Sequence, residues 1–192
     1  MSYASKLLNA RGLSCSIART PIVTSKVSMK RSSKSTANIG IRDAAWEGLI
    51  LADAGLASGE VFTVNTNKYL VQSVDNDPAS GEDIFFCTRT NANLMHKRFV
   101  ETVDANNNVV QAWQVQVSSV PSFIQVVTSQ LRQFDPGLLE QTKYLAQASC
   151  LVSAAILEDR MIYNSKNLMV VSIDDAMSGI YKLQLGTDVR PD

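Results

Sequence analysis

The sequence predicts a mainly β protein built from two small related β-barrel or β-sandwich modules, with a short N-terminal helix and a long basic loop or arm. Residues 62–75 and 161–174 repeat one strand-turn-strand pattern without a gap, Phe62 to Val64 and Lys68 to Asp75 around Asn65-Thr66-Asn67, then Met161 to Tyr163 and Lys166 to Asp174 around Asn164-Ser165. Each copy runs through a small loop, 76–81 or 175–179, into another alternating run, Ile84 to Arg89 or Ile180 to Leu185. Between the copies, Val109 to Val117 alternates apolar and amide side chains with period two, as a strand with two unlike faces does. The expected divisions are a basic segment 1–42, a first β module 43–120 and a second β module 121–192.

Taken in order, Ser2 to Asn9 suits one or two helical turns with Tyr3, Leu7 and Leu8 on one face, stopped at Gly12. Alternation over Ser14 to Arg19 and a β-type run from Ile22 to Lys30, punctuated by Pro21, predict two short strands. Lys30 to Gly40 is small, polar and basic without hydrophobic periodicity, which fits a loop or an arm that docks on a partner. Asp43 to Ile50 reads as a strand, because Gly48 weakens a helix while Trp46 and Leu49-Ile50-Leu51 suit a buried β surface. Gly55 and Ser58-Gly59-Glu60 turn the chain into the first repeat. Asp104 to Asn108 is a turn between Arg98–Val103 and the alternating strand, whose Val109, Gln111, Trp113, Val115 and Val117 form its apolar face. Pro121, Pro136 and Gly137 bracket a segment that connects the modules; Leu138 to Gln147 suits a strand, and helix and strand are equally favoured over Ala148 to Ala155.

The chain has 192 residues, 45% of them apolar and 19% charged, a composition that folds around a core. No run approaches the roughly 20 apolar residues of a membrane-crossing helix, and the N-terminus lacks the pattern of a secretory signal. Cys15, Cys87 and Cys150 are odd in number and far apart, so they are expected as reduced, buried thiols. The formal net charge is zero, yet the first acidic residue is Asp43, so residues 1–42 carry +8 and the remainder −8. Such polarity directs the basic segment toward an acidic surface or a phosphate backbone. Lys26, Lys30, Arg31, Lys34 and Arg42 are the candidate partner-binding residues.

No phosphate loop, Cys-x-x-Cys pair or Gly-x-Ser-x-Gly elbow occurs, and His96 is the single histidine. That inventory removes the usual nucleophile designs, so no catalytic residue, cofactor or metal is expected. His96 is read as a satisfied or exposed polar side chain. The acidic pairs Asp75/Asp77, Glu82/Asp83, Glu158/Asp159 and Asp174/Asp175 fall on turns, where carboxylates support local backbone in solvent. Aromatic residues are sparse among the first 42, with Tyr3 alone there, which disfavours sequence-specific nucleic-acid readout and leaves loose electrostatic contact with DNA.

Leu7-Leu8, Gly12-x-x-Cys15, the basic Ser/Thr-rich stretch, Arg42 to Ile50, Ser58-Gly59-Glu60-Val61-Phe62 and Lys68 to Val74 together resemble the small β-barrel neck proteins of tailed bacteriophages, over about residues 5–90. These are head-closure, stopper or head-tail connector proteins. The resemblance implies a structural virion protein without enzymatic activity, assembled in the host cytoplasm. It further implies a homo-oligomeric ring of six or twelve copies around the DNA channel, with a portal or adaptor ring above, a tail terminator or tail tube below, and no membrane. Many such proteins are a single barrel, whereas this chain repeats its module, so a tail-terminator, tail-completion or baseplate role is the alternative, and a non-specific nucleic-acid-binding module the alternative from another class.

Overall fold

The computed structural model describes residues 2–32, 44–149 and 155–191. Helix α1 (Tyr3–Arg11) starts at Ser2, whose hydroxyl accepts from the Ser5 N–H at 3.0 Å, and ends where the Gly12 N–H donates to the Leu8 carbonyl at 2.7 Å. The expected stop at Gly12 holds, but Gly12 is extended and not left-handed. The expected shared face does not hold, because Leu8 is buried while Tyr3 and Leu7 face solvent.

Strands β1 (Leu13–Ile17), β2 (Val23–Arg31), β3 (Ala45–Ile50), β4 (Val61–Val64), β5 (Asn67–Asn76) and β6 (Asp83–Arg89) close into a barrel in the order β1-β2-β3-β6-β5-β4. The closing seam sets Cys15 opposite Val64 and Ile17 opposite Phe62. The chain continues through β7 (Ala92–Val103), β8 (Val109–Val126), helix α2 (Ser129–Phe134), β9 (Tyr144–Ser149), β10 (Arg160–Tyr163), β11 (Lys166–Asp174) and β12 (Ile180–Thr187). These strands close a second barrel in the order β7-β8-β9-β12-β11-β10, with Met161 opposite His96 at its seam. The two orders are the same, so the duplication extends from the strand-turn-strand unit to the whole barrel. Closure satisfies the sheet-edge hydrogen bonds that an open sheet of this length would leave free.

Details of register repeat as well. The β5–β6 ladder slips between Val71 and Ser73, and the β11–β12 ladder slips between Val170 and Ser172, the position equivalent in the repeat. Each slip is a bulge that bends a long strand around its barrel. The hairpins β4–β5 and β10–β11 turn on Asn65-Thr66 and Asn164-Ser165, and Asn65, Asn164 and Ser165 take the positive φ that tight hairpins favour.

The cores differ in chemistry. In the first barrel Phe62 stacks on Tyr69 at 5.4 Å between centroids and meets Phe85 edge-on at 5.3 Å, while Trp46 meets Tyr69 at 5.8 Å. The register places Met161, Leu168 and Leu183 of the second barrel where the first has Phe62, Tyr69 and Phe85, so that core is aliphatic. Cys15 and Cys87 are buried free thiols, as expected; Cys150 lies outside the described residues.

Several expectations are corrected. The compact units are Met1–Asn91 with Ala176–Ile180, and Ala92–Asp175 with Tyr181–Asp192. Thus β1 and β2 of the basic segment belong to the first barrel, and the second begins before residue 121. Alternation reports that a stretch is a strand, not which barrel it closes. The segment expected to connect the modules is the end of β8 followed by α2, and the strand expected at 138–147 is confined to β9 at Tyr144–Ser149.

Asp43 to Ile50 yields strand β3, and Gly48 has a steric reason to be there. A Cβ at this position would lie 2.3 Å from the Ser28 carbonyl oxygen and 2.9 Å from the Phe85 ring. Only a bare Cα lets β2 and the aromatic core approach β3 so closely. Gly48→Ala should destabilise the first barrel by about 2 kcal/mol through overpacking, read as a lower urea midpoint at unchanged slope.

Candidate functional site

The basic residues singled out by the sequence begin on β2. Lys26, Ser28 and Lys30 alternate onto its outer face, where the Lys26 ammonium donates to the Ser14 hydroxyl at 2.9 Å. Lys30 is 78% exposed and lies 3.4 Å from Glu47 on β3. Arg31, at the end of the strand, holds its guanidinium 5.9 Å from the Trp46 ring centroid. Lys34 and Arg42 lie outside the described residues. An exposed pair such as Lys30–Glu47 contributes little to stability, so Lys30 is available for recognition at small structural cost.

Arg19, counted in the basic segment, is instead committed to the fold. Its guanidinium grips the carboxylate of Glu60 and donates to the Ala54 carbonyl at 3.1 Å and the Gly55 carbonyl at 2.6 Å. Glu60 is buried and also accepts from the Ala57 N–H at 2.9 Å. The second barrel repeats this clasp. Arg98 donates to both oxygens of buried Asp159, at 3.0 and 2.8 Å, and Asp159 accepts from the Ile156 N–H at 2.9 Å. Seam register makes Arg98 the counterpart of Arg19, and His96 the counterpart of Ile17.

His96 is buried and shares a 2.7 Å hydrogen bond with Asp159, in keeping with the expected satisfied polar side chain. Burial alone would push the Asp159 carboxyl up; donation from Arg98, from the Ile156 N–H and from His96 outweighs it and holds the group below the usual range. Burial raises both described thiols, Cys87 most strongly, which keeps them protonated and poorly nucleophilic. No cluster of three His, Cys, Asp or Glu suited to a metal occurs among the described residues.

Two acids expected on solvated turns are buried, Glu82 and Asp159. Glu82 fastens α1: the Ser5 and Ser2 hydroxyls donate to one oxygen, and the Ala52 N–H to the other at 3.1 Å. The Ser5 bond, aided by those from Ala52 and Ser2, prevails over burial and lowers the carboxyl from its ordinary range. Asp77 does support its own turn, through the Ala79 N–H and the Ser80 hydroxyl.

A second ionic cluster escaped the sequence reading altogether. Arg160, fully buried, occupies the position of Val61 in the first barrel. It donates to Asp188 at 2.7 Å and to the Arg190 carbonyl at 2.7 Å, and its guanidinium lies 3.9 Å from the centroid of Trp113. Arg190 stands 4.9 Å from the same ring and also binds Asp188. The Trp113 N–H donates to the Pro191 carbonyl at 2.9 Å, so residues 188–191 strap across β8. Burial opposes ionisation of Asp188, but Arg190 and Arg160 overcome it and bring the pKa down to about 2. A cation aligned to the repeat at Arg160, with Asp188 and Arg190 just beyond the last strand, was the available signal; pairing across β8 was not readable from spacing.

No family model and no curated protein matches the chain. Three solved structures of MrkH from K. pneumonia are similar over most of both chains. The P2(1) crystal form is 8% identical, covering 97% of this chain and 81% of that one, with a TM-score of 0.20. The apo form is 7% identical over 98% and 83%, with a TM-score of 0.21. The complex with c-di-GMP is 8% identical over 97% and 84%, with a TM-score of 0.18. Likeness at that level transfers neither fold nor ligand to this chain.

Removing the Asp159 carboxylate takes from buried His96 and part-exposed Arg98 the partner they share. Asp159→Ala should cost about 3 kcal/mol, seen in a thermal melt as early loss of the second barrel. The Asp188 carboxyl is lower in the folded than in the unfolded protein, so its stabilisation is full above pH ~4 and disappears as pH falls toward ~2. That component should amount to roughly 2 kcal/mol and be absent from the acid limb of a denaturation profile of Asp188→Asn.

Proposed function

We propose that the chain is a structural subunit of a tailed-phage virion, forming a homo-oligomeric ring in the neck that joins the head to the tail and lines or closes the DNA channel. The observation that carries this reading is the placement of the resemblance. Those of its motifs that lie among the described residues of about 5–90 fall within the first closed barrel, from α1 to β6. The basic strand β2 leads directly into the polar, cationic residues beyond Arg31 that the resemblance implies to be an arm. Duplication of a whole barrel also suits an assembly protein, since each module presents its own surface for contact. A portal or adaptor ring, a tail terminator or tail tube, and the passing genome are the partners of this proposal; a tail-terminator, tail-completion or baseplate position is its nearest alternative.

The basic residues act in it as docking cations for an acidic surface on an adjacent subunit or ring. Reversing Lys30, Arg31 and Lys34 to glutamate should lower the yield of assembled particles at least tenfold in native mass spectrometry, while the isolated subunit keeps its far-UV spectrum. Unchanged assembly, together with a salt-dependent shift of random duplex DNA that the triple variant loses, would move the function to the nucleic-acid-binding alternative.

A further inference from the structure

The two barrels, although built alike, differ in what they leave uncovered. In the second barrel the first two strands are drawn out into a long hairpin. β10 pairs with β7 only as far as Lys97, and β9 pairs with β8 only over Ser122–Val126. Beyond those limits β7 and β8 pair with each other alone among the described residues. Cross-strand register puts Phe99 opposite Trp113 and Val103 opposite Val109 on one face, with the hydrogen-bonded Glu101–Gln111 pair between them and Val115 on the same side. Alternation along the sequence marks that face as the apolar one. Trp113 is covered by the 188–191 strap, and the rest of the face is exposed: Val103 is 64%, Val109 65% and Val115 52% accessible. From Phe99 to Gln116 the hairpin carries Glu101 and Asp104 and no cation. Natural sheets guard such edges with lysine or proline, and the run Val109–Val120 contains neither, nor any other charge.

The first barrel has the converse feature. A groove of about 400 Å³ runs over the outer face of β2, β3 and β6, lined by Leu49, Ile84 and Phe86 and by the charged residues Lys30, Glu47 and Asp77. Glu47 is already engaged by Lys30 and by the Ser32 hydroxyl, and Asp77 by its own turn. Lys30 remains the most exposed charge on the rim. Ladder register makes Lys182 and Gln184 the second barrel's counterparts of Ile84 and Phe86. One repeat is therefore apolar outside where the other is polar, and among the described residues the other repeat alone has the projecting apolar arm.

We infer that the apolar face of the β7–β8 hairpin of one copy docks in the β2–β3–β6 groove of a second copy, head to tail. Apolar side chains meet apolar lining, and acidic Glu101 and Asp104 approach the Lys30 rim. A contact between two unlike patches of the same chain is heterologous and closes into a ring when the rotation per copy permits. This inference rests on the ring reading above and names the surface through which the ring is made.

Two variants test it. Val103→Asp with Val109→Asp disables the arm; Ile84→Lys with Phe86→Gln writes the second barrel's residues onto the groove. Each should keep the thermal melt of the parent chain and run as a monomer in light scattering, with association weakened at least tenfold. Mixed in equal amounts, they should form dimers and nothing larger, since one intact arm and one intact groove remain. An Ile84→Cys, Val109→Cys pair in the otherwise parent chain should give an oxidation-dependent ladder of multimers, which serves if either charged variant misfolds. A parent chain that is monomeric at every concentration overturns both the ring and this contact. A parent chain that assembles while both variants still assemble, or whose cysteine pair gives no ladder, overturns this contact and leaves the ring standing.

Discussion

Closure of each barrel depends on one interaction made twice, an arginine on the first strand or just beyond it that holds a buried carboxylate at the entrance to the fourth. Arg19 with Glu60, and Arg98 with Asp159, tie together the elements that form the seam. The carboxylate also receives a backbone N–H three residues upstream, from Ala57 or Ile156, so it shapes the turn that delivers the chain to that strand. A buried charge is tolerated only when paired and hydrogen-bonded. Here the pairing partner comes from the strand that must be adjacent, which links barrel closure to charge satisfaction.

The second repeat elaborates this arrangement. His96 replaces the aliphatic Ile17 and joins the carboxylate, and Arg160 replaces Val61 and recruits the segment 188–191 around Trp113. The first repeat keeps apolar residues at those positions and fills its core with aromatic rings. Divergence has thus shifted one barrel toward internal polar networks and the other toward aromatic packing, while strand order and the bulge shared by β5 and β11 stayed fixed. Bulges and tight turns constrain backbone geometry, which core chemistry can change around.

Much of the fold was legible. The duplicated strand-turn-strand unit, the hairpin around Pro21, the helix stop at Gly12 and the strand at Trp46 all rest on local patterns of turn residues and alternation, which act over a few neighbours. What the sequence concealed is long-range. Arg19 and Arg98 stand 79 positions apart, whereas Glu60 and Asp159 stand 99 apart, because the second barrel's early strands begin sooner relative to its repeat. A fixed offset therefore finds one half of the clasp and misses the other. The Val109 to Val117 pattern identified a strand and its two faces correctly, but alternation says nothing about whether the face it marks is covered by the same chain. Of the candidate binding residues, Lys26 and Lys30 share the outer face of β2 and Arg31 ends the strand beside Trp46, while Arg19, equally basic in sequence, is consumed by the clasp.

The chain contains two tryptophans, and the fold assigns one to each barrel. Trp46 sits edge-on to Tyr69 in the aromatic interior, while Trp113 lies beside two guanidinium groups at the root of the long hairpin. Their indoles experience unlike fields, so their emission should separate in wavelength. The molecule accordingly carries a built-in optical label for each half, and the label in the second half lies on the arm whose burial would report assembly.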